Sequence, residues 1–481
     1  MPHFKGEERF PTMQNRLLVQ LREGKPLTGR QLLLLIVQLS IPTILAQISH
    51  IIMQYIDASM VGQLGAADSA SIGLVSSSTW LLGGVCSAAA TGFTVLVAQF
   101  IGANRMKTAR NIMMQSFVVA TGFSLLLALI GAAASGALPH WLGGTPEICP
   151  NASWYFLVFA LSLPAMQLCN LAGGMLQSSG NMRVPSMLHI LMCALDVVFN
   201  LLLIFPGSTV LGVHLPGANL GVLGAALGTA LARAVTALLM LYFLLARSPL
   251  LKLRRGEHLK FEPAHLKQAI RIAVPVGFEQ LVMSGAQVMS TRIVSPLGTV
   301  AIAANSFAVT AESLCYMPGY GIGAAASTLI GQSIGAGRKD LTRRLGWMTT
   351  LFGVAVMTVS GAAMFIAAPW MISLLSPDPA IVSLGAEVLR IEAFAEAMYA
   401  ASIVASGVFR GAGDTLVPSC MNFFSMWAVR IPLSALLAPR LGLHGAWIGM
   451  CVELNVRGIL FLIRLAGKRW MKSAAVGTTK A

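Results

Sequence analysis

Acidic side chains stand inside long apolar runs of this 481-residue chain, among them Asp57, Asp196, Glu279, Glu312, Glu392 and Glu396. A charge at the centre of a bilayer costs on the order of 2.5–3.5 kcal/mol even on lenient scales, so each needs a partner or a purpose. Asp57 lies five residues before Gly62 and Asn200 six before Pro206, which puts both at a similar depth near one end of their segments. Asp196 is one helical turn deeper on the face of Asn200, and Thr229 enters the next segment to about the depth of Asp196. Two carboxylates, an amide and a hydroxyl at one level suit a hard cation such as Na⁺. A desolvated carboxylate pair serves a proton equally well. The competing arrangement is structural: Asp196 pairs with Arg233, and Asp57 caps a helix bend.

The second half of the chain offers other acids. Glu279 follows Pro275 by one turn, and either faces a central cavity or pairs with Arg430. Arg292, Arg390 and Arg457 are available to Glu312, Glu392 and Glu396, and ion pairing is the expectation for Glu312 and Glu392.

The elements that must hold these groups repeat. At a constant offset of 233, Pro42 falls on Pro275, Gln47 on Gln280, Gly65 on Gly298 and Pro185 on Pro418. The run Gln99-Phe-Ile-Gly-Ala-Asn-Arg105 likewise lies over Gln332-Ser-Ile-Gly-Ala-Gly-Arg338. Duplicated halves of this kind build a transport site between two rocking units, and interrupted segments at matching positions point to it. Pro42 and Pro275 are such interruptions, or simple packing kinks. By the same offset Asp57, Asp196 and Asn200 fall on Ser290, Val429 and Leu433, so the cation site belongs to one half only.

With 56% hydrophobic and 11% charged residues and a mean hydropathy of +0.74, the chain is a polytopic membrane protein. Twelve apolar runs are long enough to cross about 30 Å of hydrocarbon. They lie near 31–60, 68–100, 112–138, 152–178, 185–206, 219–246, 267–296, 300–333, 346–374, 380–408, 417–438 and 443–466. The expected fold is all-α, with two pseudo-twofold-related six-helix lobes at 31–246 and 267–466. A cytoplasmic tail (1–30), a linker (247–266) and a second tail (467–481) complete the chain. The net charge of +15 gathers in the termini, the linker and alternate loops, while the loops near 62–67, 139–151, 207–218, 297–299 and 375–379 carry no Lys or Arg. That is the positive-inside pattern with both termini cytoplasmic, and it calls for anionic headgroups and no nucleic acid. The seven cysteines have neither metal spacing nor a disulfide framework. Asn151-Ala-Ser153 matches a glycan acceptor on an expected outer loop.

These features resemble the multidrug and toxic compound extrusion (MATE) family along essentially the whole chain. The resemblance is carried by Asp57-Ala-Ser-Met-Val-Gly-Gln-Leu-Gly65, the two Gln-x-Ile-Gly-Ala segments, Met317-Pro-Gly-Tyr-Gly-Ile-Gly323 and Phe409-Arg-Gly-Ala-Gly-Asp-Thr-Leu-Val-Pro418. It implies a monomeric exporter of the bacterial inner membrane, with two lobes in a V that exchanges inward-moving Na⁺ or H⁺ for outgoing organic compounds, often cations. No other cofactor is implied. In the family an acid matched by Asp57, an Asn-x-x-x-Asp pair and a Thr matched by Thr229 form an N-lobe cation site. Here the pair reads Asp196-Val-Val-Phe-Asn200, with the two residue types exchanged. The acid of some branches on the seventh span matches Glu279; that of the tenth falls on Tyr399, with Glu396 one turn earlier.

Two other classes compete. A lipid-linked oligosaccharide flippase of the same superfamily needs a large cationic cavity, whereas here the intramembrane acids are at least as numerous as the bases; a dedicated metabolite exporter is the other transport alternative. An enzyme needs a metal motif, or a nucleophile beside a base, and neither is evident.

Overall fold

A computed structural model describes residues 13–472 apart from 24, 211, 212, 216, 254–256, 258 and 259. A short helix α1 (Met13–Arg22) precedes the first lobe, which comprises α2 (Gly29–Gly62), α3 (Ala66–Gly102), α4 (Met106–Ala134), the single turn α5 (Leu138–Trp141), α6 (Cys149–Ser178), α7 (Arg183–Ile204) and α8 (Gly221–Tyr242). An antiparallel hairpin of β1 (Ser208–Val210) and β2 (Val213–Leu215) joins α7 to α8. The second lobe comprises α9 (Pro263–Val294), α10 (Thr299–Gly335), α11 (Lys339–Ser373), α12 (Pro379–Ala393), α13 (Glu396–Ala412), α14 (Leu416–Phe424), α15 (Ile431–Leu441) and α16 (Leu443–Ala466). Among the described residues, eleven continuous helical segments are long and apolar enough to cross a bilayer. The twelfth crossing is broken. Its halves, α12 and α13, rise only about 22 and 25 Å, so neither crosses alone, and the break at Phe394-Ala395 lies between Glu392 and Glu396.

The duplication is visible in reciprocal contacts. Gln99 Nε2 donates to the Gly411 carbonyl (3.1 Å) and its repeat mate Gln332 Nε2 donates to the Ser178 carbonyl (2.7 Å), positions that also differ by 233. A β-carbon on Gly102 would lie 2.1 Å from the Gln332 carbonyl oxygen, and one on its mate Gly335 would lie 1.9 Å from that of Gln99. Only glycine lets these backbones meet. Every cross-lobe hydrogen bond among the described residues is made in the half of the bundle that carries the basic loops, or at its midpoint. The outermost joins Thr43 Oγ1 to the Gly321 carbonyl at 2.9 Å, one residue past Pro42. Pro42 frees the carbonyl four residues earlier, so α2 can bend where it touches the opposite lobe. The lobes therefore converge at the basic end and diverge toward the other.

Helix α1 covers the seam at the basic end. Leu17, Leu18 and Leu21 enter the core formed by α2, α10 and α13, and Leu18 also approaches Gly180 of the first lobe. Arg22 Nε donates to Gln332 Oε1 of the second lobe (3.1 Å) and its Nη2 to the Ser179 carbonyl of the first (3.0 Å). Burial lowers the Arg22 guanidinium to about 10, and it stays charged at neutral pH. The linker is strapped to the first lobe: Arg110 holds Glu257, Asn111 bonds to the Lys260 backbone and Gln115 Nε2 donates to the Glu262 carbonyl. Asn151, the glycan-acceptor candidate, lies inside α6, where its amide donates to Asp68 Oδ1 at 2.8 Å. Five of the seven cysteines are buried, and none is in a disulfide.

Replacing Arg22 by Gln removes two charge-assisted bonds worth about 1–2 kcal/mol together after allowance for partial exposure. Hydrogen exchange across Leu17–Arg22 is expected to accelerate several-fold in the variant. Unchanged exchange would show that α1 is held by its leucines alone.

Candidate functional site

Helices α2, α7 and α8 bring the first-lobe residues together. Asn200 Nδ2 donates to Asp57 Oδ1 (3.0 Å) and to Asp196 Oδ2 (3.3 Å). The two carboxyls also contact one another directly. Asp196 and Asn200 are each only 1% exposed, and Asp196 Oδ1 and Asn200 Oδ1 have no hydrogen-bond partner. Asn200 fits because α8 presents Gly228 there: a β-carbon at that position would lie 2.1 Å from Asn200 Oδ1. Thr229 is the next residue and is half-buried at the same level. Arg233 does not pair with Asp196. Its guanidinium lies over the Phe159 ring, 5.8 Å from the centroid, so the structural alternative for Asp196 is not what the fold adopts. Orphaned oxygens on a buried acid and a buried amide, beside a second acid, are groups whose unmet hydrogen-bonding capacity a proton or small cation would satisfy.

In the second lobe the expected partners are rearranged. Glu279 pairs with Arg410 (3.3 Å), not Arg430, and also accepts from Asn422 Nδ2 (2.7 Å) and Ser419 Oγ (3.2 Å). It is thus satisfied by α13 and α14 and is not joined to Glu396 or Tyr399. Arg457 is taken by Glu453, with two bonds of 2.7 Å, and Ser425 donates to the same carboxylate. The sequence signals Glu453 only through its i,i+4 spacing to Arg457. Arg390 donates to the Phe365 carbonyl and lies over that ring, and Arg292 is exposed. The ion pairs expected of Glu312 and Glu392 are therefore absent among the described residues, because each nominated arginine points elsewhere. All four carboxyl oxygens of Glu392 and Glu396 are buried without a partner. Tyr399 packs against Tyr316 (5.6 Å between centroids) and lines a chamber between α9, α10 and α16.

The repeat register also needs correction beyond residue 424. A π-helical turn, Ser425–Arg430, accommodates one extra residue in the second lobe, so the offset becomes 234 through α15, and the shorter connection to α16 makes it 221 there. Gly228 abuts Asn200 as Gly449 abuts Ser434, and Gly224 abuts Leu203 as Gly445 abuts Leu437. The mates of Asp196 and Asn200 are accordingly Arg430 and Ser434, not Val429 and Leu433.

Comparison with known proteins agrees with this register. The MatE family model matches twice, over residues 42–202 and 275–436, so the starts differ by 233 and the ends by 234. The chain belongs to the MatE family. It is 26% identical over 447 residues to the probable multidrug resistance protein NorM of Thermotoga maritima, covering 92% of this chain and 94% of that one. It is 24% identical to the multidrug resistance protein MdtK of Edwardsiella ictaluri, covering 90% and 94%. Among solved structures, one described as the outward-facing conformation of a multidrug resistance MATE family transporter superposes with a TM-score of 0.84 at 21% identity, covering 92% and 99%. That likeness shows the fold: a multi-pass membrane protein of two six-helix lobes.

Gly228→Ala forces the Asn200 side chain away from the two carboxylates. Ion-dependent stabilisation of the purified protein, read as the change in thermal midpoint between ion-free and ion-saturated buffer, is expected to fall to less than half. An undiminished response would place the ion elsewhere.

Proposed function

We propose that this MatE family protein is a secondary active exporter of organic, often cationic, compounds, driven by protons entering the Asp57–Asp196–Asn200 site. The observation that carries the proton reading is the position of the Asn200 amide. Its Nδ2 stands between the two carboxylates, where a bound metal would need oxygens. Two carboxyls in contact within an apolar lobe repel when both are ionised, and one shared proton removes that repulsion. Sodium is the second reading, favoured by the partnerless oxygens of Asp196 and Asn200.

With the basic loops in the cytoplasm of a bacterial cell, the cleft opens outward and the site lies in its outer half, accessible to the entering ion. Each charge carried across 100 mV supplies about 2.3 kcal/mol. Coupling requires that ion and exported compound favour different lobe arrangements. Neutralising Asp57 changes the helix that bends at Pro42 and touches the other lobe at Gly321, a direct mechanical link between ion site and seam. Glu279 serves as a structural pair with Arg410 in the outward-open arrangement, and Pro275 as the matching bend in α9.

Proteoliposomes loaded with ethidium, given a pH step or a Na⁺ step separately, test the reading. Export is expected to follow the pH step, and Asp57→Asn to reduce it at least tenfold at equal reconstitution. Export driven by Na⁺ alone would select the second reading. No export under either gradient would refute both.

A further inference from the structure

The two lobes hold opposite charges at equivalent places. In the first lobe the site is Asp57, Asp196, Asn200 and Thr229. Its mates are Ser290 at the offset of 233, Arg430 and Ser434 at 234, and Met450, which follows Gly449 as Thr229 follows Gly228; all four line the chamber in the second lobe. The fold thus builds the pocket twice, and the second copy carries a guanidinium where the first carries a carboxylate.

Arg430 has no hydrogen bond and no ion pair within 4 Å among the described residues, although its field reaches Glu312, Glu392 and Glu453. Of those three acids only Glu312 lines the chamber, and it has no hydrogen bond there either. Glu453 is already spent on Arg457. A half-buried guanidinium at membrane depth with no acid within ion-pair distance is incompletely compensated, and an anion entering the chamber would complete it. Tyr316, Tyr320, Tyr399 and Trp447 also line the chamber, among aliphatic and methionine side chains and the paired Arg457. The volume is about 200 Å³, enough for a charged, ring-bearing end of a ligand whose remainder lies in the cleft.

We propose that this chamber is a second recognition site, which takes zwitterionic aromatic amphiphiles with their carboxylate at Arg430 and their ammonium toward Glu312. Guanidinium and carboxylate match in planar, two-bond geometry, which an ester cannot reproduce. Simple cations need only the acidic groups and are handled without Arg430. The inference rests on the export reading for its physiological meaning, but binding to purified protein tests it separately.

The probes are Nε-dansyl-lysine, a zwitterion, and its methyl ester, which keeps the ring and the ammonium and loses the carboxylate. Dansyl fluorescence titrations on detergent-purified protein give the affinities, and ethidium export in proteoliposomes gives the control. Wild type is expected to bind the acid more tightly than the ester. Arg430→Gln is expected to weaken the acid at least tenfold while changing ester affinity and ethidium export by less than twofold, and Arg430→Lys to recover part of the loss. Ser290→Asp places a carboxylate in the chamber at the Asp57-equivalent position without touching Arg430. It is expected to weaken the acid and strengthen the ester, and so serves as the test should Arg430→Gln fail to fold. Equal losses for acid and ester, or no loss for either, would make Arg430 a structural counter-charge and overturn the proposal. Absence of ethidium export by wild type, with acid binding intact, would count against the export reading alone.

Discussion

A glutamine amide reaching a carbonyl in the opposite lobe, made twice by pseudo-symmetry, is the contact from which the rest of the architecture follows. Gln99 and Gln332 can make it only because Gly102 and Gly335 let the backbones touch. Inside a bilayer there is no hydrophobic force to hold two apolar lobes together, since lipid tails solvate both equally well. Close backbone packing and polar bonds must do so. Concentrating those contacts at one end leaves the far ends of the helices free to diverge, and the cleft is the result. A few buried amide bonds near a pseudo-axis are also few enough to break and remake in the other arrangement, which a continuous interface would not permit.

Within that frame the lobes have diverged in charge. The first concentrates two acids and an amide where α2, α7 and α8 meet, and sends its one nearby arginine onto a phenylalanine ring. The second puts an arginine at the matching position and its unpaired acids one layer behind, at the break between α12 and α13. Each lobe therefore carries a different charge at the same place in its fold. Rocking such lobes against one another changes which charge faces the cleft's contents, a property that identical halves would lack.

Much of this was legible in the residues. The fixed offset, the apolar runs and the paired prolines specify a duplicated twelve-crossing bundle, because spacing in a long membrane helix maps directly onto depth. The same arithmetic brought Asp57, Asp196 and Asn200 to one level. It failed where depth alone does not decide rotation about the helix axis. Glu279 found Arg410 and not Arg430, and Arg457 found Glu453 on its own helix, since several arginines lie at similar depth and azimuth selects among them. The register slip beyond residue 424 was hidden for a related reason: one residue absorbed in a π-helical turn leaves no gap in an apolar sequence, yet a constant offset then misplaces every later position by one residue, about 100° around the helix. The contacts of Gly228 and Gly449 expose the shift.

The strap that ties the linker to the first lobe has a topological consequence. Arg110, Asn111 and Gln115 fix the linker up to Glu262, and α9 begins at the next residue. The covalent tether between the lobes is thereby reduced to almost no slack, so a second lobe cannot wander far enough to dock on a neighbouring copy's first lobe. Exchange of second lobes between two copies, a standing hazard for duplicated proteins whose halves share one interface, would first have to break the bonds to a carboxylate and two backbone groups on the linker.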